Sequence, residues 1–233
     1  MPVDNPRRSG AGRVGRPRAQ ARPDSELTPR EEVLAAAAEL FTRDGYAATT
    51  TRAVAEKAGM RQASLYHWFA GKEDLLATLL ESTVEPSLGY AADLLAAVET
   101  DPAARLWALA AYDAALLHRG LYNLGALYQL PEVRGERFEG FRRARAELKA
   151  AYGELLLLLT PGEGEQELRT DLLFGLVEGG VAVARERADR DADRVAGAVA
   201  AAALRFAGVP ADAAAPAARA GAALLAATRP AAD

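Results

Sequence analysis

From Thr28 onward the apolar residues of this chain recur at helical spacing. Val33, Leu34, Ala37, Leu40 and Phe41 lie three and four positions apart, which gathers them on one face of an α-helix. Thr28 as N-cap, Pro29 at the first helical position and Glu31 and Glu32 in the first turn mark its start; Gly45 marks its end. Thr50 or Thr51 is placed to cap a second, short helix whose Val54 and Ala58 face inward before Gly59 stops it. A third helix begins near Gln62, with Leu65 and Phe69 as its core face. Gly71 breaks the run, and a fourth helix starts over Lys72 to Thr83. Three short helices, the second and third joined by the tight turn Ala58-Gly59-Met60, make either a helix-turn-helix unit or a small generic three-helix bundle.

Beyond Pro86 the pattern stays helical. It predicts helices at about 86–99, 102–119, 121–129, 131–159, 164–188, 191–207 and 211–228, punctuated by Pro102, Gly120, Pro131, Pro161-Gly162, Asp189 and Pro210. No segment alternates as a strand would, and there is no internal repeat. The expected fold is therefore all-α, with an N-terminal three-helix helix-turn-helix domain at 28–80 and a larger helical domain at 81–228. Residues 1–27 are rich in Arg, Gly, Pro and Ala without periodic apolar positions and read as a disordered arm. Within the arm, Gly10 to Gly15 matches the dinucleotide fingerprint GxGxxG. The match is discounted, because no strand precedes it and Pro17 stands where a helix should open.

Composition sharpens this picture. Of the 233 residues 50% are hydrophobic but only 6% aromatic, and alanine dominates the apolar share. Alanine favours helix yet buries little surface, so the helices must approach one another closely. The chain has no Cys and two His, which excludes disulfide scaffolds, thiol catalysis and Cys-ligated zinc and leaves too few imidazoles for most metal sites. No metal or cofactor is expected. No apolar run long enough to span a membrane lacks a charge or turn signal, and no apolar segment follows the N-terminal arginines as in a signal peptide, so a cytoplasmic protein without membrane association is expected. The formal net charge of −4 is uneven: residues 1–30 carry seven Arg against Asp4, Asp24 and Glu26, while the remainder is acidic.

The stretch Thr50-Thr-Arg-Ala-Val-Ala-Glu-Lys-Ala-Gly-Met-Arg-Gln-Ala-Ser-Leu-Tyr-His-Trp-Phe-Ala-Gly-Lys-Glu-Asp-Leu-Leu76 resembles the DNA-binding signature of the tetracycline-repressor (TetR/AcrR) family of transcriptional regulators. Ala38 to Tyr46 matches the end of that family's first helix. The resemblance spans residues 30–80 and includes the Thr-Thr start, the Ala-Gly turn, the Leu-Tyr-x-x-Phe core and the Lys after the turn. The chemistry of the residues agrees with it. A recognition helix keeps its rear in the core, here Leu65 and Phe69, and offers its first turn to base edges in the major groove. Arg61, Gln62 and Ala63 are the base-reading candidates, since Arg pairs with guanine, Gln with adenine, and Ala touches a thymine methyl. Thr50 and Thr51 stand at a helix start whose free amides suit a phosphate, and Arg52 extends from the same turn. The resemblance assigns backbone contacts to Ser64, Tyr66, His67 and Lys72. Ordinary roles compete: Thr51 as a plain N-cap, and His67 and Trp68 as packing between helices, the reading preferred for Trp68. In the arm, Gly15-Arg-Pro-Arg18 is similar to the core of an AT-hook, placing Arg16 and Arg18 as minor-groove or nonspecific phosphate contacts.

Two features of the later part bear on function. Leu172, Gly175, Leu176 and Gly179, together with Val195, Val199, Ala202 and Phe206, put small and apolar residues on two consecutive long helices. The resemblance implies that these helices form an isologous four-helix dimer interface, against the alternative of packing within the chain. Between Trp107 and Phe141 the aromatics concentrate: Trp107, Tyr112, Tyr122, Tyr128 and Phe138, interleaved with Asp113, His118, Asn123 and Gln129. By resemblance, a small-molecule effector of unknown identity binds there; Trp107, Tyr112, His118, Tyr122, Asn123, Tyr128 and Phe138 are its candidate contacts. The function expected is a homodimeric regulator, most simply a repressor, that binds a palindromic double-stranded operator and is released by its effector. The alternatives are a helical protein-interaction module without specific DNA binding, and an enzyme. For the latter no catalytic constellation assembles, because the acid pairs Glu31-Glu32, Glu73-Asp74 and Asp189-Asp191 sit where capping accounts for them.

Overall fold

In the computed structural model, residues 27–119, 124–162, 164–186 and 191–228 are described. They form nine α-helices and three short 3-10 turns, with no strand among them: α1 Pro29–Arg43, α2 Thr51–Lys57, α3 Gln62–Leu65, α4 Lys72–Ala96, α5 Pro102–Arg119, 3-10 turns at Leu124–Gln129, Pro131–Arg134 and Glu136–Phe138, α6 Glu139–Leu159, α7 Gln166–Glu186, α8 Ala192–Phe206 and α9 Ala211–Thr228. None of the described helices is long and apolar enough to cross a membrane.

The start of α1 is held by a capping box. The Thr28 hydroxyl accepts from the Glu31 amide and the Glu31 carboxylate accepts from the Thr28 amide at 2.7 Å. At α2 the cap is Thr50, whose hydroxyl accepts from the Ala53 amide at 3.1 Å. Thr51 is therefore free for other bonds. Gly59 takes a left-handed φ of 71°, which lets the chain reverse between α2 and α3 while Met60 donates back to the Ala55 carbonyl. Val33, Ala37, Leu40 and Phe41 of α1, Val54 and Ala55 of α2, and Leu65 and Phe69 close a buried core; Ala58, expected inside, is half-buried, and Ala55 takes the inner position. The Lys57 ammonium reaches Glu39 at 2.6 Å and ties α2 to α1.

The helix expected at 121–129 is, in its described part, a 3-10 turn over Leu124–Gln129, and two other expected boundaries move. The separate helices ending at Thr83 and beginning at Pro86 are one helix, α4, which runs through Pro86. Pro86 and Ser82 both lie on the exposed side, so the Ser82 carbonyl that loses its amide partner meets water. The division between residues 80 and 81 thus falls inside a continuous helix. The run expected at 131–159 is α-helical only from Glu139. Pro131 and the extended Gly135 break the preceding stretch into 3-10 turns, and the Arg142 guanidinium donates to the Val133 and Gly135 carbonyls at 2.8 and 2.7 Å.

α5 is the central strut, packed against α4, α6, α7, α8 and α9. Its Ala104, Ala108, Ala110, Ala111, Ala114 and Ala115 are buried, the close approach that alanine permits. At the crossing with α9 the contact is closer still: a Cβ at Gly221 would stand 2.7 Å from the Ala104 carbonyl oxygen and 2.8 Å from the Trp107 ring. One continuous apolar core runs from Val33 in α1 to Ala217 in α9.

Candidate nucleic-acid interface and ligand cavity

The turn from α2 into α3 presents a polar ridge over an apolar base. Leu65 and Phe69 point into the core and are essentially inaccessible, while Arg61, Ala63, Tyr66 and His67 are exposed; Gln62 and Ser64 are half-buried. The ridge is internally braced. Gln62 Nε2 donates to the Thr51 hydroxyl at 2.9 Å and to the Tyr66 hydroxyl at 3.4 Å, and the Thr51 and Tyr66 hydroxyls stand 3.1 Å apart. Tyr66, 50% exposed, is thus fixed over the start of α2. Of the three base-reading candidates, Arg61 and Ala63 project freely, whereas Gln62 has its amide nitrogen engaged and its carbonyl oxygen to offer.

The candidate backbone contacts divide in the same way. Thr50 caps α2 and stands exposed at its start; Arg52, also exposed, pairs with Glu56 one turn on at 2.8 Å. Lys72 turns inward: its ammonium donates to the Tyr46 carbonyl at 2.9 Å and lies 4.2 Å from the Tyr46 ring centroid, pinning the loop between α1 and α2. Burial pushes the Tyr46 phenol up to about 12, so it stays protonated. Trp68 does not fill the space between helices as preferred from the sequence. It is 40% exposed and lines a groove with Arg30, Asp74, Glu81 and Arg137. Arg16 and Arg18 lie outside the described residues.

In the larger domain a cavity of about 270 Å³ opens between the end of α5, the first 3-10 turn and α7. Leu117, Tyr128, Gln129, Glu178, Gly175 and Gly179 line it. Behind it lies a buried polar cluster. The Asp113 carboxylate, 3% exposed, accepts from the Ser87 hydroxyl at 2.9 Å and from the Tyr152 hydroxyl at 3.2 Å. Burial pushes the Asp113 carboxyl up to about 6; the two hydroxyls oppose that shift without cancelling it. The Thr83 hydroxyl donates to the Leu80 carbonyl, so the Tyr128 hydroxyl is the donor in its 2.5 Å bond to Thr83. Arg145 grips Glu178 with a two-pronged pair and stacks over Phe174 at 4.9 Å.

Of the effector contacts expected from the sequence, Tyr128 lines this cavity. Trp107 and Tyr112 turn away from it: Trp107 packs against Gly221 of α9, and Tyr112 stacks on Tyr90 of α4 at 4.7 Å. Phe138 is fully buried in the core. Tyr122 and Asn123 lie outside the described residues, as does the side chain of His118. Sequence reasoning passed over Arg145, Glu178, Thr83 and Ser87, which arrive from α4, α6 and α7. Asp113, which it had noted among the aromatics, is the buried centre of the cluster.

Leu172 is 54% exposed, and Leu168, Gly175 and Gly179 continue an exposed stripe along α7. Leu176, Val199, Ala202 and Phe206 are half-buried. Val195 differs from the expectation of a free interface residue: α8 lies with that side against its own chain, and Val195 is buried there. Gly175 and Gly179 serve two surfaces at once, since they also form a wall of the cavity.

A buried-backed recognition turn on a three-helix unit, joined through a continuous α4 to a larger helical domain with a partly open cavity, defines the class of helix-turn-helix regulators. Residues 33–79 match the family model for bacterial regulatory proteins of the tetR family. The crystal structure of Mycobacterium smegmatis AmtR superposes with a TM-score of 0.77 and is 46% identical, covering 91% of this chain and all of that one. The KstR2 transcriptional repressors of Mycobacterium tuberculosis and Rhodococcus jostii are 43% identical over 56 residues and 37% identical over 67. In these the match covers 28% and 33% of the relative, so this chain spans a third or less of the length of the curated relatives it matches. The M. tuberculosis KstR2 structure, a ketosteroid transcriptional regulator, shares the fold at a TM-score of 0.62 and 23% identity. The chain belongs to the TetR family of bacterial regulatory proteins, which are DNA-binding transcription regulators and not enzymes.

Proposed function

We propose that this chain is a homodimeric repressor that binds a palindromic operator and is released by a small-molecule effector. The observation that carries the reading is the ridge over Leu65 and Phe69. Arg61, Gln62 and Ala63 read base edges in the major groove, and Thr50, Thr51, Arg52, Ser64, Tyr66 and His67 hold the phosphates on either side. Lys72 acts mainly from behind, by holding the loop that carries Ala47. The arginines of the N-terminal arm, Arg16 and Arg18 among them, add sequence-independent affinity.

The exposed stripe of α7, with Val199, Ala202 and Phe206 of α8, meets its own copy about a two-fold axis. That spaces the two recognition turns by one helical repeat of DNA, about 34–36 Å. The effector occupies the cavity at Tyr128 and Glu178 and favours a state in which this spacing is lost. A coupling of about 1–3 kcal/mol is sufficient to change operator occupancy strongly. The protein acts in the cytoplasm, where its operator lies.

The test is a gel-shift titration on a duplex enriched from a random library by the wild-type protein. Replacing Arg61 and Gln62 together by Ala weakens binding to that duplex while circular dichroism stays unchanged. Equal affinity of the variant would remove these residues as readers.

A further inference from the structure

The 3-10 segment between the cavity and the helix-turn-helix unit is fastened to α4 at both ends. At the cavity end, Tyr128 forms part of the wall and its hydroxyl donates to Thr83 in the middle of α4. At the other end, Arg137 crosses to the first turns of the same helix. Its Nε and Nη2 donate to Asp74 Oδ1 at 2.9 and 2.6 Å, and its Nη1 donates to Glu81 Oε1 at 3.1 Å. The second oxygen of Asp74 accepts from the Ala70 amide at 3.1 Å. Ala70 directly follows Phe69, the buried anchor of the recognition turn. Between the two fastenings, Arg142 stiffens the segment through the Val133 and Gly135 carbonyls.

We propose that Arg137 is a positioning residue: it passes the position of the cavity wall to the recognition turn through Asp74 and Ala70. The inference rests on the reading of this chain as an effector-released DNA-binding regulator. A guanidinium is suited to the task because its planar fork fixes direction as well as distance, which an ammonium does not. Asp74 is shared between that fork and the amide that follows the recognition turn, so a shift of residues 131–138 pulls on both. The pair is half-exposed, and such pairs add little to stability. The contribution of Arg137 is therefore to geometry, and its loss leaves the fold intact while loosening one end of α4.

Hydrogen exchange on the full chain tests this without an effector. Arg137→Gln is expected to raise exchange of amides 66–76 about fivefold while α5 and α8 stay protected. Tyr128→Phe, which cuts only the bond to Thr83, loosens the same amides, and the double variant exchanges no faster there than the faster single. Arg137→Lys, which keeps the charge without the fork, loosens them partly and serves if Arg137→Gln fails to fold. On the library-selected duplex, Arg137→Gln binds about fivefold more weakly with an unchanged salt slope, because Arg137 neutralises no phosphate. Exchange confined to residues 124–138, additive effects of the two substitutions, or a uniform rise across α1 to α9 would overturn the proposal. Failure of the wild-type protein to select any duplex would instead overturn the DNA-binding reading, and the exchange data would still judge the brace.

Discussion

Arg61 and Gln62 are neighbours at the start of α3 with different duties in the free protein. Arg61 projects into solvent, whereas Gln62 spends its amide nitrogen on Thr51 and Tyr66. The two single substitutions should therefore separate. Arg61→Ala removes a base contact worth about 1–3 kcal/mol and relaxes specificity at one base pair. Gln62→Ala also releases Tyr66, so its loss is spread over all sequences; anisotropy titrations on a panel of single-base-pair variants of the selected duplex distinguish the two patterns. Asp113 makes the second residue-scale prediction. Its carboxyl has an ordinary value near 3.8 and is pushed up to about 6 by burial, so the folded state binds this proton more tightly than the unfolded state does. That stabilising contribution is complete below pH 4 and is lost as pH rises through 6, by on the order of 3 kcal/mol. Asp113→Asn, which cannot ionise, should be more stable than the wild type at pH 8, with the difference shrinking toward pH 5. Denaturant titrations at both pH values check it; a gap that does not change with pH would contradict it.

Among the elements, α1 and α2 were legible from sequence because their signals are local. A capping box, a Thr at the second N-cap and a glycine at each end act within a few residues of where they are written. For α4 the sequence suggests two helices, because Pro86 looks the same in sequence whether the carbonyl it orphans is buried or wet. The segment 131–138 was read as helix because its apolar spacing is helical; the competing restraint, Arg142 reaching back to two carbonyls, depends on tertiary placement. Gly221 lies in an alanine-rich run and carries no signal at all. Yet its position is among the tightest in the molecule, and Gly221→Ala is expected to destabilise by about 1–3 kcal/mol through overpacking against Ala104 and Trp107. Thermal unfolding gives the size of the effect, and a shift in Trp107 fluorescence would locate it at the α5–α9 crossing. An unchanged melting temperature would mean that α9 can move away without cost.

At the scale of the whole molecule, the charge pattern and the packing divide the functions. Along the chain the seven Arg of residues 1–30 directly precede or open the helix-turn-helix unit and the remainder is acidic, so a net charge of −4 does not oppose DNA binding. The cavity itself was only partly legible. The aromatics of α5 were expected to line it, but an 18-residue helix packed on five neighbours presents each side chain to a different one. Trp107 and Tyr112 face α9 and α4; Tyr128 and Gln129 line the cavity from within the expected stretch, but Glu178 comes from α7, remote in sequence. The α7 face yields a further prediction: Leu172→Arg should give a folded monomer by sedimentation velocity, while a dimer of undiminished stability would place the interface elsewhere. Since the reading as a regulator stands on sequence-specific DNA binding, the decisive titration compares the library-selected duplex with a scrambled duplex of equal length across a range of salt. Affinity for the selected duplex should exceed that for the scrambled one by about a thousandfold or more, with both falling steeply as salt rises. Equal affinity for the two duplexes, or binding indifferent to salt, would contradict it.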